Sequence, residues 1–271
     1  MPIIQRQKPI LACIFVLFVA SPLAADSFDH THALLNELLV RHVSDGRVNY
    51  KDLAEDRQQL QNYLTVLGEV SNDDFHIFTH NQQLALLINA YNAFTLELIL
   101  RHYPVASIQD IPGNWTEPLW FLLGRNFNLN DIENKIIRPR YHEPRIHFAL
   151  VCAANGCPPL QSEAYIADKL EEQLAAVSRS YARDRSFNRL DKKSATLYVS
   201  KIFEWYQDDF IAAWGETELP KNSDSSLSHR GVVGFFLAQL KENEADFLRR
   251  QPVTIRYLEY DWGLNDSDQE D

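Results

Sequence analysis

The stretch from Asn81 to His102 does most to limit what this chain can become. Leu84, Leu87, Ile88, Tyr91, Phe94, Leu98 and Ile99 recur at helical spacing and cover most of the circumference of one long helix, which ends before Pro104. A helix that is apolar nearly all round has to be central, with other elements packed about it. Two amides, Asn89 and Asn92, sit three residues apart within its INAYNAF segment and share a face. Left unpaired in a core, each would cost roughly 1–3 kcal/mol. They therefore either tie neighbouring loops to the helix or line a polar pocket.

Upstream, Arg6 and Lys8 precede an apolar run from Ile10 to Ala20, and Ser21-Pro22-Leu23-Ala24-Ala25 supplies the small residues of a cleavage site. The pattern predicts a signal peptide over residues 1–25 and a protein that is periplasmic or secreted, with no stable membrane insertion after cleavage. Without Arg6 and Lys8, 24 basic residues face 37 acidic ones, a formal charge of −13. Such a surface repels phosphate backbones, and no basic cluster with interleaved aromatics occurs, which argues against nucleic acid as a partner. Residues 26–265 carry no repeat, linker or compositional break and read as a single domain. Residues 266–271 read as a solvated acidic tail.

Within the domain, periodicity predicts helices over 30–42, 52–67, 81–102, 132–138 (capped by Asn130-Asp131 and stopped by Pro139), 163–183 and 202–214, a helix or helix pair over 231–248, and a capped helical start at Ser71. Hairpins are expected around Gly124 and around Asp191-Lys192-Lys193, and single strands over 145–151 and 253–260. Helices outnumber short strands, so the fold class is α+β: a helix-rich single domain with a small, mostly antiparallel sheet.

Chemistry concentrates in Pro144–Leu160, PRIHFALVCAANGCPPL. Its first half reads as a buried strand containing His147; its second half carries Cys152 and Cys157 beside an Asn155-Gly156 turn. On a regular strand residues five apart face opposite sides, so His147 and Cys152 diverge, whereas Cys157 is free to fold back toward His147. A Cys157–His147 pair would supply nucleophile and base. A Cys152–Cys157 disulfide is the competing use of the same thiols in an exported chain. Arg145, opening a buried strand, needs a carboxylate or a bound anion. Together with Asn89, Asn92 and Cys152 it completes the candidate ligand-binding set. His142, His147, Cys152 and Cys157 recur every five residues, roughly 16 Å apart along a strand, too far to share an ion, so no metal or cofactor is expected. Trp205, Tyr206 and Trp262 read as core aromatics and Glu133 as a solvated charge.

Six motifs occur in order between about Leu34 and Asn265: VNYKDL, LLINAYNAF, LNDIENKIIRP, RIHFALVCAANGCPPL, SKIFEWYQDDF and YLEYDWGLN. Together they resemble the family known as domain of unknown function 547, found in exported bacterial proteins and in plants. That family is similar at fold level to papain-like and transglutaminase-like proteins, which implies a nucleophilic cysteine opening a buried helix, a histidine on a following strand and an Asn or Asp beyond it. Here the helix has Asn89 and Asn92 and no cysteine. The resemblance therefore implies His147 as base, Asp261 or Asn265 as its orienter, and Cys157 as the remaining candidate nucleophile. The functional expectation is an exported protein whose polar cleft binds a peptide-like or small carboxylate or thiol ligand without turning it over. The alternatives are a cysteine-dependent amide hydrolase or acyl transferase using Cys157, His147 and Asp261, and a disulfide-bearing envelope structural protein.

Overall fold

A computed structural model describes residues 28–268; the segment read as a signal peptide, 1–25, and the last three residues of the acidic tail lie outside the described residues. Four helices, α1 (Ala33–His42), α2 (Tyr50–Glu55), α3 (Arg57–Glu69) and α4 (Asn72–Ile77), precede the long α5 (His80–His102). The single helix expected over 52–67 is two, broken at Asp56, whose carboxylate is held by Arg41 (2.7 Å) and His42 (2.8 Å). Thr79 and Gln82 open α5 with a capping box, each side chain bonding the other's backbone N–H. Every residue of α5 from Gln83 to Leu100 is buried. By length and composition α5 would span a bilayer, but its apolar window is wholly enclosed by protein, as in a core helix. Fully burying each of its leucines contributes roughly 1.5–3 kcal/mol, and Leu87→Ala would cost about 2–5 kcal/mol through the cavity it leaves. The one acidic side chain in this buried span, Glu97, is neutralised by Arg57 (2.7 Å) and Arg101 (2.8 Å).

Two two-stranded ribbons flank this helical layer. The first, β1 (Val43–Ser44) and β2 (Arg47–Val48), follows α1 directly. The second, β3 (Trp120–Leu122) and β4 (Arg125–Phe127), is the expected hairpin; Leu123 and Gly124 turn it at φ of 51° and 78°, the positive values a two-residue mirror-type turn requires. Next, α6 (Leu129–Asp131), a π-helical stretch Ile132–Ile137 and α7 (Arg138–Tyr141) run on as one rod, capped by Asn128 rather than by Asn130-Asp131. Pro139 does not stop it. The Arg138 N–H bonds the Glu133 carbonyl in the wide π register, so Pro139 stands in the first turn of a restarted helix, where its missing donor is not needed.

The strand expected over 145–151 is absent. Pro144–Phe148 is a 3-10 turn, opened by Pro144 and capped by Glu143, which accepts from the Arg145 N–H at 3.0 Å. The backbone groups a strand neighbour would have satisfied are taken by a side chain instead: Asn92 donates to the Ala149 carbonyl and accepts from the Val151 N–H, both at 2.9 Å. Extended pairing begins one step later. Residues 153–156 run against 261–265, through Asn155 N–H to Gly263 (2.7 Å), Gly156 N–H to Asp261 (2.8 Å) and Asn265 N–H to Ala153 (3.1 Å). A Cβ on Gly156 would meet the Asp261 backbone at 3.0 Å, which is why this crossing takes glycine.

Beyond it lie α8 (Leu170–Arg183), β5 (Arg189–Asp191), β6 (Thr196–Val199), α9 (Ile202–Trp205), α10 (Gln207–Trp214), α11 (Leu227–Gln239), α12 (Glu242–Arg250) and β7 (Thr254–Tyr257). In the three-stranded sheet β6 is central, antiparallel to β5 and parallel to β7. The fold is α+β, largely helical, with small and mostly antiparallel sheets. The acidic tail starts later than expected: Asp266 is 2% exposed, pairs with Val48, and accepts from the Tyr103 hydroxyl at 2.8 Å, because Val48 offers it an open strand edge.

Two hydrophobic clusters result. One surrounds α5; the other gathers Phe148, Phe203, Phe210, Phe235 and Phe236 between α8, α10 and α11. The 3-10 turn is their seam, since Ile146 and Ala149 pack into the first and Phe148 into the second.

Candidate functional site

Beside that seam lies a cavity of about 240 Å³. Four polar side chains, Asn130, Glu133, Asn134 and His147, line it with six aromatic rings, Tyr91, Trp115, Trp205, Tyr206, Tyr260 and Trp262, and with Cys152 and Cys157. No lysine or arginine lines it among the described residues. Trp205, 46% exposed, marks where it opens.

His147 is held from three sides. Its Nε2 donates to Asp209 Oδ2 at 2.7 Å, Tyr206 stacks on the ring at 3.8 Å between centroids, and Nδ1 stands 3.9 Å from Glu133 Oε1. Asp209 is fixed in turn by Arg138, through Nε at 2.7 Å and Nη2 at 3.1 Å. Burial opposes ionisation of Asp209, but the hydrogen bonds from His147 and Arg138 outweigh it and hold the carboxyl well below its usual range. An ionised Asp209 fixes the proton of His147 on Nε2, leaving Nδ1 on the Glu133 side. The π stretch matters here, because it presents Glu133 and Asn134 to the cavity while Arg138, one turn on, reaches Asp209.

Burial sets the phenols, and Glu133 adds to it. Burial, reinforced by Glu133, pushes Tyr91 and Tyr206 far above the usual phenol range; burial, with Tyr181 and Glu133 adding, does the same to Tyr260. All three rings therefore keep their protons. Tyr260 directs its hydroxyl at the sulfurs, 3.2 Å from Cys157 and 3.3 Å from Cys152. Cys152 and Cys157 are paired as a disulfide with Cα atoms 6.3 Å apart, and the Cys152 N–H points at Cys157 Sγ from 3.0 Å.

Of the candidate site residues singled out by sequence, His147, Cys152 and Cys157 meet in this cavity, while Asn89, Asn92, Arg145, Asp261 and Asn265 do not. Asn89 spends both ends of its amide on Tyr165, donating to its carbonyl (2.7 Å) and accepting from its N–H (3.0 Å). Asn92 is used up on Ala149 and Val151. Arg145 bonds Glu143 and Glu171, each at 2.6 Å, and needs no bound anion. Asp261 is exposed and accepts from the Gly263 N–H at 2.8 Å; the carboxylate on His147 is Asp209. Glu133 is 6% exposed rather than solvated, and Trp205, Tyr206 and Trp262 are cavity walls as well as packing groups. Sequence reasoning missed Asp209 and the role of Glu133, although both stand inside quoted motifs, SKIFEWYQDDF and LNDIENKIIRP.

Residues 75–182 match the family described as Protein of unknown function, DUF547. The matched stretch is 108 of the 271 residues long. It holds Tyr91, Glu133, His147, Cys152 and Cys157, so the DUF547 segment supplies the floor of the cavity and both sulfurs, while Asp209, Tyr206, Tyr260 and two of the three tryptophans come from beyond it. Neither the curated proteins nor the solved structures yield a match.

Proposed function

We propose that the protein binds a small peptide-like molecule through its amino group, without turning it over. The observation that carries this reading is the buried carboxylate of Glu133 among Tyr91, Tyr206 and Tyr260 in a cavity that, among the described residues, has no lysine or arginine on its walls. A carboxylate attracts ammonium, the aromatic lining adds to it, and the net charge of −11 reinforces both. A ligand carboxylate would find only repulsion from Glu133, so the carboxylate ligand drops out of the sequence expectation. Hydrolysis is disfavoured by the sulfur chemistry, since Cys157 in a disulfide has no thiolate to act as nucleophile.

Titration of the intrinsic fluorescence of Trp115, Trp205 and Trp262 tests the reading. Alanyl-alaninamide with a free amino terminus is expected to give a saturable change, its N-acetylated form to bind about tenfold more weakly, and Glu133→Gln to remove the difference. Equal responses to the two dipeptides would sink it. The same reading takes Met1–Ala25 as an export signal, into a compartment where a disulfide persists. The expected check is an amino terminus at Asp26 in protein recovered from the cell envelope or medium; an intact Met1 would overturn the export assignment.

A further inference from the structure

The cavity has a reactive wall that amine binding does not use. We propose that the Cys152–Cys157 disulfide exchanges with a small aminothiol held in this cavity, its ammonium on Glu133 and its sulfur attacking Cys152, with Cys157 as the leaving thiolate. The inference rests on the amine-binding reading above and adds the ligand's second functional group.

Two asymmetries between the sulfurs assign their roles. Cys152 is half-buried and Cys157 is 4% exposed, so an incoming sulfur meets Cys152 first. Cys157 Sγ has a backbone donor, the Cys152 N–H at 3.0 Å, and a hydroxyl donor, Tyr260 at 3.2 Å. Both strengthen as negative charge grows on that sulfur, and a stabilised thiolate leaves faster. Tyr260 keeps its proton because burial, with Tyr181 and Glu133 adding to it, pushes the phenol far up, so it serves as a donor throughout.

The step balances without an oxidant. The ligand thiol ionises and its proton passes to solvent. Its sulfur attacks Cys152 Sγ, a ligand–Cys152 disulfide forms as the Cys152–Cys157 bond breaks, and the electron pair stays on Cys157. One thiolate and one disulfide enter; one of each leaves. The product is a chain carrying the ligand covalently on Cys152, with Cys157 held as an activated thiolate beneath Tyr260.

The test uses the oxidised full chain and three probes: cysteamine, 2-mercaptoethanol, which has the same reach but no amino group, and S-methylcysteamine, which has the amine but no reactive sulfur. Timed samples are quenched in acid, alkylated and read by intact mass and peptide mapping. Cysteamine is expected to add once per chain, on Cys152, about tenfold faster than 2-mercaptoethanol at equal thiolate concentration. S-methylcysteamine should slow it, and Glu133→Gln should bring the two thiols to the same rate. Tyr260→Phe should slow exchange by about threefold to tenfold and raise the pH at which Cys157 of the reduced protein alkylates. Adducts on Cys157, or equal rates for the two thiols in the wild type, would overturn the proposal. Saturable fluorescence binding of S-methylcysteamine with no adduct from cysteamine would reject the exchange and leave the amine site standing. Should Tyr260→Phe fail to fold, the thiol comparison in wild-type protein still decides the matter.

Discussion

Two sets of buried polar side chains lie close together in this fold and have opposite fates. Asn89 and Asn92 on α5 each give one donor and one acceptor to a single stretch of backbone, so both ends of each amide are engaged by the chain itself. His147 is anchored on one side to Asp209, itself held by Arg138, and with Glu133 it lines a cavity on the other. Asn89, Asn92, Glu133 and His147 are all polar and all buried, and Asp209 is partly so. What separates them is where they point: an amide bonded at both ends to backbone is structural cement, whereas a group held firmly on one side and facing a cavity is available to a ligand.

The sharpest way to break this comparison is Asn92→Ala. It strands the Ala149 carbonyl and the Val151 N–H together, at roughly 1–3 kcal/mol each, so urea unfolding should report a loss of about 2–5 kcal/mol, and ligand binding should fall only as far as folding does. A loss under about 1 kcal/mol would mean that Asn92 is not the cement described.

Asp209→Asn comes next, with a loss of about 1–3 kcal/mol at neutral pH. Its pH signature is more specific. The folded carboxyl is depressed, so its contribution is complete above the unfolded pKa near 3.9 and is lost as pH falls toward the folded value. Below about pH 4, the variant should therefore lose stability less steeply with acid than the wild type. Parallel acid limbs would argue against the His147–Asp209–Arg138 linkage.

A third, half-saturated case sharpens the contrast. His32 shares its Nδ1 with the Tyr63 hydroxyl at 2.8 Å but leaves Nε2 buried without a partner. Burial, with His30 adding to it against Asp29, pulls its pKa down to about 4. The neutral ring is favoured in the fold, so stability is full above pH 6.5 and declines as pH falls toward 4. Between pH 7 and 5, His32→Gln should remove about 1–2 kcal/mol of the wild type's decline. An unchanged decline would remove His32 from the account.

Glu133→Gln should move stability least, within about 0.5 kcal/mol, while weakening amine binding about tenfold. A large stability loss here would place Glu133 with the asparagines rather than with His147.

Much of this contrast was legible in the sequence, but unevenly. The central helix, the Ser71 cap and the Gly124 hairpin follow from periodicity and local turn chemistry, because each depends on residues a few positions apart. The weighing of Asn89 and Asn92 as either ties or pocket groups was posed correctly and needed only their partners. His147 was read onto a strand, because periodicity cannot foresee that a side chain 57 residues away will take the Ala149 carbonyl. Asp209, 62 residues from His147, and Glu133, turned inward by a π register, were hidden for the same reason: their significance is tertiary. The disulfide was one of two readings of the cysteine pair, and spacing could not choose between them.

The polar residues of α5 have a consequence beyond the folded state. Before folding, this segment is hydrophobic enough to be mistaken for a membrane anchor. An ionised side chain within such a helix adds roughly 2.5–3.5 kcal/mol against lateral insertion, and Glu97 with Asn89 and Asn92 supplies that reluctance from inside the helix itself. On the export reading proposed above, a chain threading through a translocon would be released on the far side instead of lodging in the lipid, and the residues that lock the core would also guard the route to it.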